Sequence, residues 1–346
     1  MKFNTVTIKD IAKALGLSTS TVSRALRDGY EISEETKKLV LDCAKKLNYR
    51  PNPIALSLKE RRSRSIGVVV SEIANNFFSQ AINGIESVAH NSDYHVIITQ
   101  SHESFDREVL NVEHLAFRSV DGLLISLSGE SSDISHLKSL HQKGLPIVFF
   151  DRVSDEIDTH KIIANNFQGS FDATEFLIQA GNRNIVHLTS AAHLSTTKER
   201  LEGYRSALMK HGLPFKEDYI KYVNYQDVTQ LELELEHSVR DLFLLDNPPD
   251  AFFVAQDRLS TMCLQALKKV VPQHISSLDI AGFTNSNVTD LFSPPISIVR
   301  QPAFEMGKAA TELLIQLIES KRPVTEFQTR VFTTDLIVAK PNKVTL

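Results

Sequence analysis

Along the first fifty residues the apolar positions repeat at helical rather than strand spacing. Ile8, Ile11, Ala12 and Leu15 fall at i, i+3, i+4 and i+7, one stripe on a helix over Thr7–Ala14. Thr7 stands as its N-cap, and Asp10 completes a short capping box. Leu15-Gly16-Leu17 turns the chain, with Gly16 supplying the left-handed backbone that such a turn needs. Ser18 caps a second helix whose Val22, Ala25 and Leu26 face inward, leaving Thr19, Ser20, Ser23 and Arg24 facing out. Ser33 caps a third, with Glu34 and Glu35 complementing its dipole and Val40, Ala44 and Leu47 on its inner face. Lys37, Lys38, Lys45 and Lys46 are expected on its outside. Short hydroxyls and one arginine on an exposed helix suit a DNA major groove, so Val6–Leu26 reads as a helix-turn-helix within a domain over residues 1–50.

The pattern then changes. Asn52 as N-cap and Pro53 at the first helical position start a helix of barely two turns, Pro53–Lys59, too short to be stable without a partner chain or DNA. Lys59–Ser65 is a basic polar linker, so residues 51–64 form a hinge and boundary. Beyond it, short apolar runs alternate with helical stretches. Strands are expected at Ile66–Val70, His95–Thr99, Gly122–Leu127, Pro146–Phe150, Ile185–Thr189, Ala251–Ala255, Leu278–Phe283, Ile296–Val299 and Phe332–Val338. Helices are expected at Phe77–His90, Asp106–Ser119, Phe171–Ala180, Lys198–His211, Leu259–Val270 and Ala303–Glu319. This alternation indicates parallel sheets covered on both faces, and the length favours two lobes with a ligand cleft at the strand ends.

Charge sharpens the division. Residues 1–64 carry 14 Lys and Arg against 7 Asp and Glu, a net +7, while the remainder carries 24 against 35, a net -11. A basic module on an acidic body is the footprint of a DNA-binding protein whose larger part avoids DNA. Cys43 and Cys263 lie far apart without metal spacing, which suggests neither a disulfide framework nor a zinc site. The start lacks an apolar leader segment and no run reaches membrane-span length, so a cytoplasmic protein is expected. P-loop, GxSxG, HExxH and GxGxxG patterns are absent and the histidines, His187 and His193 included, show no ligand spacing. These features disfavour an enzyme. The N-terminal module and missing leader disfavour a transport-type binding protein. A nucleoid-type DNA binder without an effector is the remaining alternative.

In this order, VTIKDIAKALGLSTSTVSRAL, NYRPNPIALSLK, VFFDR, RLEGYRSAL and ISIVRQP resemble the LacI/GalR family of bacterial transcriptional regulators, over essentially the whole chain. The resemblance implies an N-terminal all-α helix-turn-helix domain with a short hinge helix. A two-lobed α/β body like a type I periplasmic binding protein follows over residues 65–346. Lobe 1 is expected near 65–163 plus 293–324, and lobe 2 near 164–292 plus 325–343. It also implies a sequence-specific regulator, a repressor acting as a homodimer on a pseudo-palindromic operator. A small-molecule effector would control it from the interlobe cleft, with no enzyme activity, cofactor, metal or membrane partner. No leucine heptad follows the last strand, so a tetramer is not expected.

Carried over position by position, the family's base-reading residues fall on Thr19, Ser20 and Arg24, and its phosphate contacts on Thr7, Ser18, Thr21, Ser23, Ser33 and Thr36. Ala55 matches the small residue at which paired hinge helices approach, and Leu58 the leucine wedged into the minor groove. Pro53 departs from many members but is tolerated in a first turn. The effector positions match Phe77, Phe78, Asp151, Arg152, Arg200, Tyr225, Gln256, Asp257, Thr284 and Gln301. Two departures bear on the ligand. Gly282-Phe283-Thr284-Asn285 has threonine where the family often has a sugar-binding aspartate, and Asn165-Asn166 replaces a frequent Asp-Asn. With two possible carboxylates gone, a carbohydrate or derivative remains the default that the resemblance implies, and a small polar, anionic or less polyhydroxylated ligand gains weight as the alternative.

Overall fold

The computed structural model describes residues 6–27, 31–50, 62–223, 228–287 and 291–339. The expected hinge helix with Ala55 and Leu58, and Tyr225, lie outside the described residues. The chain divides into two compact units, residues 1–63 and 64–346.

In the first unit, helices α1 (Ile8–Leu15), α2 (Thr19–Ala25) and α3 (Glu34–Lys46) close on Ile11, Ala12, Val22, Ala25, Val40 and Ala44. Gly16 ends α1 at φ +65°, and the Leu17 amide donates back to the Ala12 carbonyl at 3.0 Å. Lys37 differs from expectation. Its side chain is only 11% exposed, and its ammonium pairs with Glu34 at 2.8 Å. The aliphatic stem packs inward while the charge reaches the helix start.

The second unit contains two six-stranded sheets. Its first half runs β1 (Ser65–Val70), α4 (Asn76–Asn91), β2 (His95–Gln100), α5 (Phe105–Phe117), β3 (Gly122–Ile125), α6 (Ser135–Gln142), β4 (Ile147–Phe150) and β5 (Lys161–Ala164). Then come α7 (Asn166–Gln179), β6 (Ile185–Thr189), α8 (Ser195–Lys210), β7 (Ile220–Tyr222), α9 (Val228–Phe243), β8 (Ala251–Val254), α10 (Asp257–Val270), β9 (Asp279–Phe283) and β10 (Ile296–Arg300). The chain closes with α11 (Ala303–Glu319), β11 (Thr329–Phe332) and β12 (Asp335–Ile337). Strand order is β11-β5-β4-β3-β1-β2 in the first sheet and β12-β10-β9-β8-β6-β7 in the second. All pairings are parallel except β10 with β12.

Each sheet is buried on both faces, which is why its strands read as apolar runs. In the first, Ile66, Val68, Leu124 and Val148 pack under α4 and α11, and Val69, Leu123, Ile125 and Phe149 pack under α5 and α6. In the second, Val186, Phe252, Ile280 and Ile298 meet α9 and α10, and Ile185, Phe253, Ala281 and Val299 meet α7 and α8. No helix among the described residues is long and apolar enough to cross a membrane.

Lobe boundaries differ from the expected ones. β10 pairs with β9, so the second lobe extends to Arg300 rather than ending at 292. β11 pairs with β5, so the first lobe reclaims residues expected in the second. Ladder pairing places the crossings at 165, 301–302 and 333–334. The expected strand Phe332–Val338 is consequently two strands in two sheets.

One buried group ties stability to pH. His187 on β6 is fully buried between Tyr204 (5.1 Å) and Phe253 (5.2 Å), and neither ring nitrogen has a hydrogen-bond partner. Burial, with the Arg200 charge as a lesser cause, holds its pKa down to about 3 from an ordinary 6.5. Below pH 6.5 the unfolded chain binds a proton that the folded chain refuses, so folding weakens as pH falls toward 3. Between pH 7.5 and 5.0 this residue alone should cost about 2 kcal/mol. In urea titrations followed by circular dichroism, His187→Leu should lose that much less over the same interval than the wild type.

Candidate functional site

The first candidate surface is the outer face of α2. Ser18 caps the helix by accepting from the Thr21 amide at 3.0 Å, and its hydroxyl also meets those of Ser20 (2.7 Å) and Thr21 (2.8 Å). Val22 and Ala25 anchor the helix in the core, which leaves Thr19, Ser20 and Arg24 exposed, with Thr21 and Ser23 half-buried. Arg24 donates from Nη1 to Glu31 Oε2 at 2.7 Å. At the start of α1, the Thr7 amide and hydroxyl both donate to Asp10 Oδ2 (2.8 and 2.7 Å), bonds that hold the exposed Asp10 carboxyl below its usual range. Ser33 caps α3, accepting from the Thr36 amide at 3.3 Å. The expected phosphate contacts at Thr7, Ser18 and Ser33 therefore stand at three helix N-termini, where free amides and the dipole favour anions.

The second is the cleft between the lobes, a cavity of about 700 Å³. Glu103, Phe105 and Glu130 line it from the first lobe, and Ser190, His193 and Tyr222 from the second. Each lining loop follows the carboxyl end of a strand: β2, β3, β6 and β7. No lysine or arginine is among the described lining residues.

Of the residues expected to hold the effector, Arg152 and Gln256 lie behind that lining, bonded to Glu103 and Ser190. Arg152 forks onto Glu103 at 2.5 and 3.1 Å, and Glu103 also accepts from the Gly129 amide at 2.7 Å. Burial pushes the Glu103 carboxyl up, but the Arg152 charge and these bonds outweigh it and hold the group anionic. Gln256 hydrogen-bonds the Ser190 hydroxyl. Arg200 is buried. It donates to Asn166 Oδ1 from Nε (2.9 Å) and Nη2 (2.7 Å), to the Ala255 carbonyl (2.5 Å) and to Gln301 Oε1 (3.4 Å), and it lies 3.8 Å over the Phe283 ring. Asp151, at φ +61°, has its carboxyl raised by burial against the opposing charges of Arg152 and Arg200. Glu199 is likewise raised by burial, opposed by Asn166 and Arg200.

Asp257, at the start of α10 in the second lobe, ties the two lobes. Thr284 donates its hydroxyl to Asp257, which also accepts from the backbone amides of Asn76 and Phe77 at the start of α4. Burial nevertheless leaves its carboxyl raised. Arg258 pairs with Glu72 across the lobes at 2.8 Å; Gln80 Nε2 donates to the Asn285 backbone carbonyl at 3.1 Å, and Asn285 Nδ2 donates to Gln80 Oε1 at 2.7 Å. Phe77 and Phe78 are core residues rather than an open stacking wall. They meet edge to face at 5.2 Å inside the first lobe's apolar cluster. The aromatic lining is Phe105 and Tyr222 instead. Sequence reasoning missed both, although the rule that ligands lie beyond strand carboxyl ends points to their loops.

Known proteins match both parts of the chain. Residues 7–52 match the family model for bacterial regulatory proteins of the lacI family, and residues 63–335 match that for periplasmic binding proteins and the sugar-binding domain of the LacI family. The chain is 33% identical over 322 residues to the probable HTH-type transcriptional regulator EndR of Paenibacillus polymyxa, covering 91% of each chain. It is 30% identical over 327 residues to the HTH-type transcriptional repressor PurR of Vibrio cholerae, covering 94% of each. Among solved structures, the transcriptional regulator CelR–cellobiose complex aligns with a TM-score of 0.67 at 25% identity, over 96% of this chain and 98% of that one. The chain belongs to the LacI family of bacterial transcriptional regulators, a DNA-binding helix-turn-helix joined to an effector-binding body.

Proposed function

We propose that this regulator is a repressor that binds a pseudo-palindromic operator in the cytoplasm as a homodimer, and that an uncharged, sugar-like molecule in the interlobe cleft controls it. The single observation carrying the DNA reading is the exposed Thr19–Ser20–Arg24 face on a helix anchored by Val22 and Ala25. One arginine and two short hydroxyls are few base-reading groups, which favours two copies reading two half-sites. PurR, of similar length, is named a repressor.

For the effector, the lining favours a neutral polyhydroxylated ligand over the anion that the two lost carboxylates suggested. Glu103 and Glu130 face the cleft, burial with the Lys198 and Arg152 charges lowers the pKa of His193 and so disfavours its cationic form, and Arg152 and Arg200 already have protein partners. Phe105 and Tyr222 offer aromatic faces to a sugar ring. The CelR complex holds cellobiose. Occupancy of the cleft shifts the bonds joining the lobes, and coupling of about 1–3 kcal/mol to operator binding is ordinary for such systems.

The test begins with selection of binding sites from randomised duplexes by the full chain. A two-fold symmetric consensus is expected, bound by two chains per site. Adding cellobiose or related oligosaccharides should then change operator affinity about 5- to 150-fold. An asymmetric site bound by one chain would overturn the dimer, and a response to anionic metabolites alone would overturn the ligand class.

A further inference from the structure

Glu31 is placed where a DNA-facing surface has least use for a carboxylate. Its Oε2 accepts from Arg24 Nη1 at 2.7 Å, across seven residues of sequence. Both side chains are at least half exposed, at 59% for Arg24 and 50% for Glu31, so this is not a bond that the core requires. Exposed pairs of this kind add little to folding. Their effect falls on whatever else competes for the arginine.

We infer that Glu31 is a specificity-determining residue, which acts by restricting how Arg24 can engage DNA. The inference rests on the base-reading role proposed for Arg24. A guanidinium carries five N–H donors in a rigid fork, and a guanine edge takes two of them in parallel at O6 and N7. With Nη1 held by Glu31, the remaining donors stay available for that bidentate contact, and the fork is oriented before DNA arrives. A phosphate accepts the same fork, but it is an anion that the Glu31 carboxylate repels, whereas guanine O6 and N7 are neutral acceptors. An Arg24 drawn onto the backbone either carries Glu31 toward a phosphate or leaves that carboxylate unpaired beside a polyanion. Glu31 thus penalises the sequence-independent mode more than the guanine-reading mode. A repulsive element raises specificity in this way without adding a contact to the correct site.

The experiment measures binding of the full chain to its selected operator, to that operator with the Arg24-facing guanine replaced, and to a random duplex, each across a salt series. Glu31→Gln should tighten random-duplex binding about 5- to 10-fold while operator binding changes less than about 2-fold, so discrimination falls. A freed arginine that gains one phosphate should steepen the salt slope on random DNA by about 0.9. Glu31→Gln should also relax the preference for guanine, and in an Arg24→Ala background it should no longer alter that preference. Asp42→Asn removes the same charge from an exposed position on α3 and controls for net charge alone. An operator-to-random ratio unchanged in Glu31→Gln, while Arg24→Ala abolishes it, would overturn the role of Glu31 and leave base reading standing. An equal effect from Asp42→Asn would reduce it to bulk charge and overturn it too. Unchanged preference in Arg24→Ala would bring down the base-reading role and this inference with it.

Discussion

Replacing Arg200 with methionine is expected to destabilise the ligand-free chain by about 3–5 kcal/mol, the consequence of leaving several buried acceptors unpaired at once. The guanidinium is held by Asn166, the Ala255 carbonyl and Gln301, and it rests on the Phe283 ring. Asn166 and Gln301 stand beside two of the three crossings between lobes. Methionine fills much of the volume but leaves buried acceptors unpaired, at a cost of about 1–3 kcal/mol each where water cannot reach them. It also removes a positive charge that opposes the burial-driven rise of Asp151 and Glu199, so both carboxyls should move further toward protonation. Arg200→Lys keeps the charge but loses the planar fork, and one ammonium cannot reproduce bonds fixed in the guanidinium plane. It should fall between the two in urea unfolding without ligand. A residue serving only to hold the effector behaves differently, because its loss weakens ligand binding and leaves ligand-free stability unchanged.

That network shows how far the sequence carries. Asp151, Arg152, Arg200 and Gln301 could be singled out because they sit in the stretches VFFDR, RLEGYRSAL and ISIVRQP. Their pairings could not, since contacts such as Arg200 with Gln301 join positions a hundred residues apart. The same divide runs through the fold. Helices with a single apolar stripe and strands buried on both faces were legible. Helix α9 was not, because Leu231-Glu232-Leu233-Glu234-Leu235-Glu236 alternates with the period of a strand. Packing decides for the helix. Leu231, Leu235, Val239 and Leu242 share the buried face, while Leu233 is 52% exposed. β7 was missed for a related reason: at three residues it is too short to carry a pattern. On the recognition helix the residues facing out were readable from helical spacing, whereas the Arg24–Glu31 pair depends on how the chain returns from α2 toward α3.

Gly84→Ala should destabilise the body by about 1–3 kcal/mol or more, although the same change in an isolated helix is favourable by roughly 1 kcal/mol. A Cβ at Gly84 on α4 would stand 2.0 Å from the Phe304 carbonyl oxygen on α11, and one at Gly307 would stand 2.1 Å from the Ala81 carbonyl oxygen on α4. Both obstacles are backbone atoms, so no side-chain rotation relieves them and the two helices must separate. Separation loosens the layer that covers Val68, Leu124 and Val148. It also displaces the start of α4, whose Asn76 and Phe77 amides are the first-lobe end of the Asp257 tie. Lobe coupling should therefore weaken along with stability, with a smaller effector-induced change in operator affinity for the fraction that stays folded. Because Gly84 and Gly307 guard one helix crossing from opposite sides, the first alanine already forces the movement that the second requires. In a double-mutant cycle by urea unfolding, the pair should cost clearly less than the sum of the single variants. Full additivity would mean that each glycine is constrained separately and that the helices do not move as rigid units. A neutral Gly84→Ala would mean that the crossing yields without loss of packing.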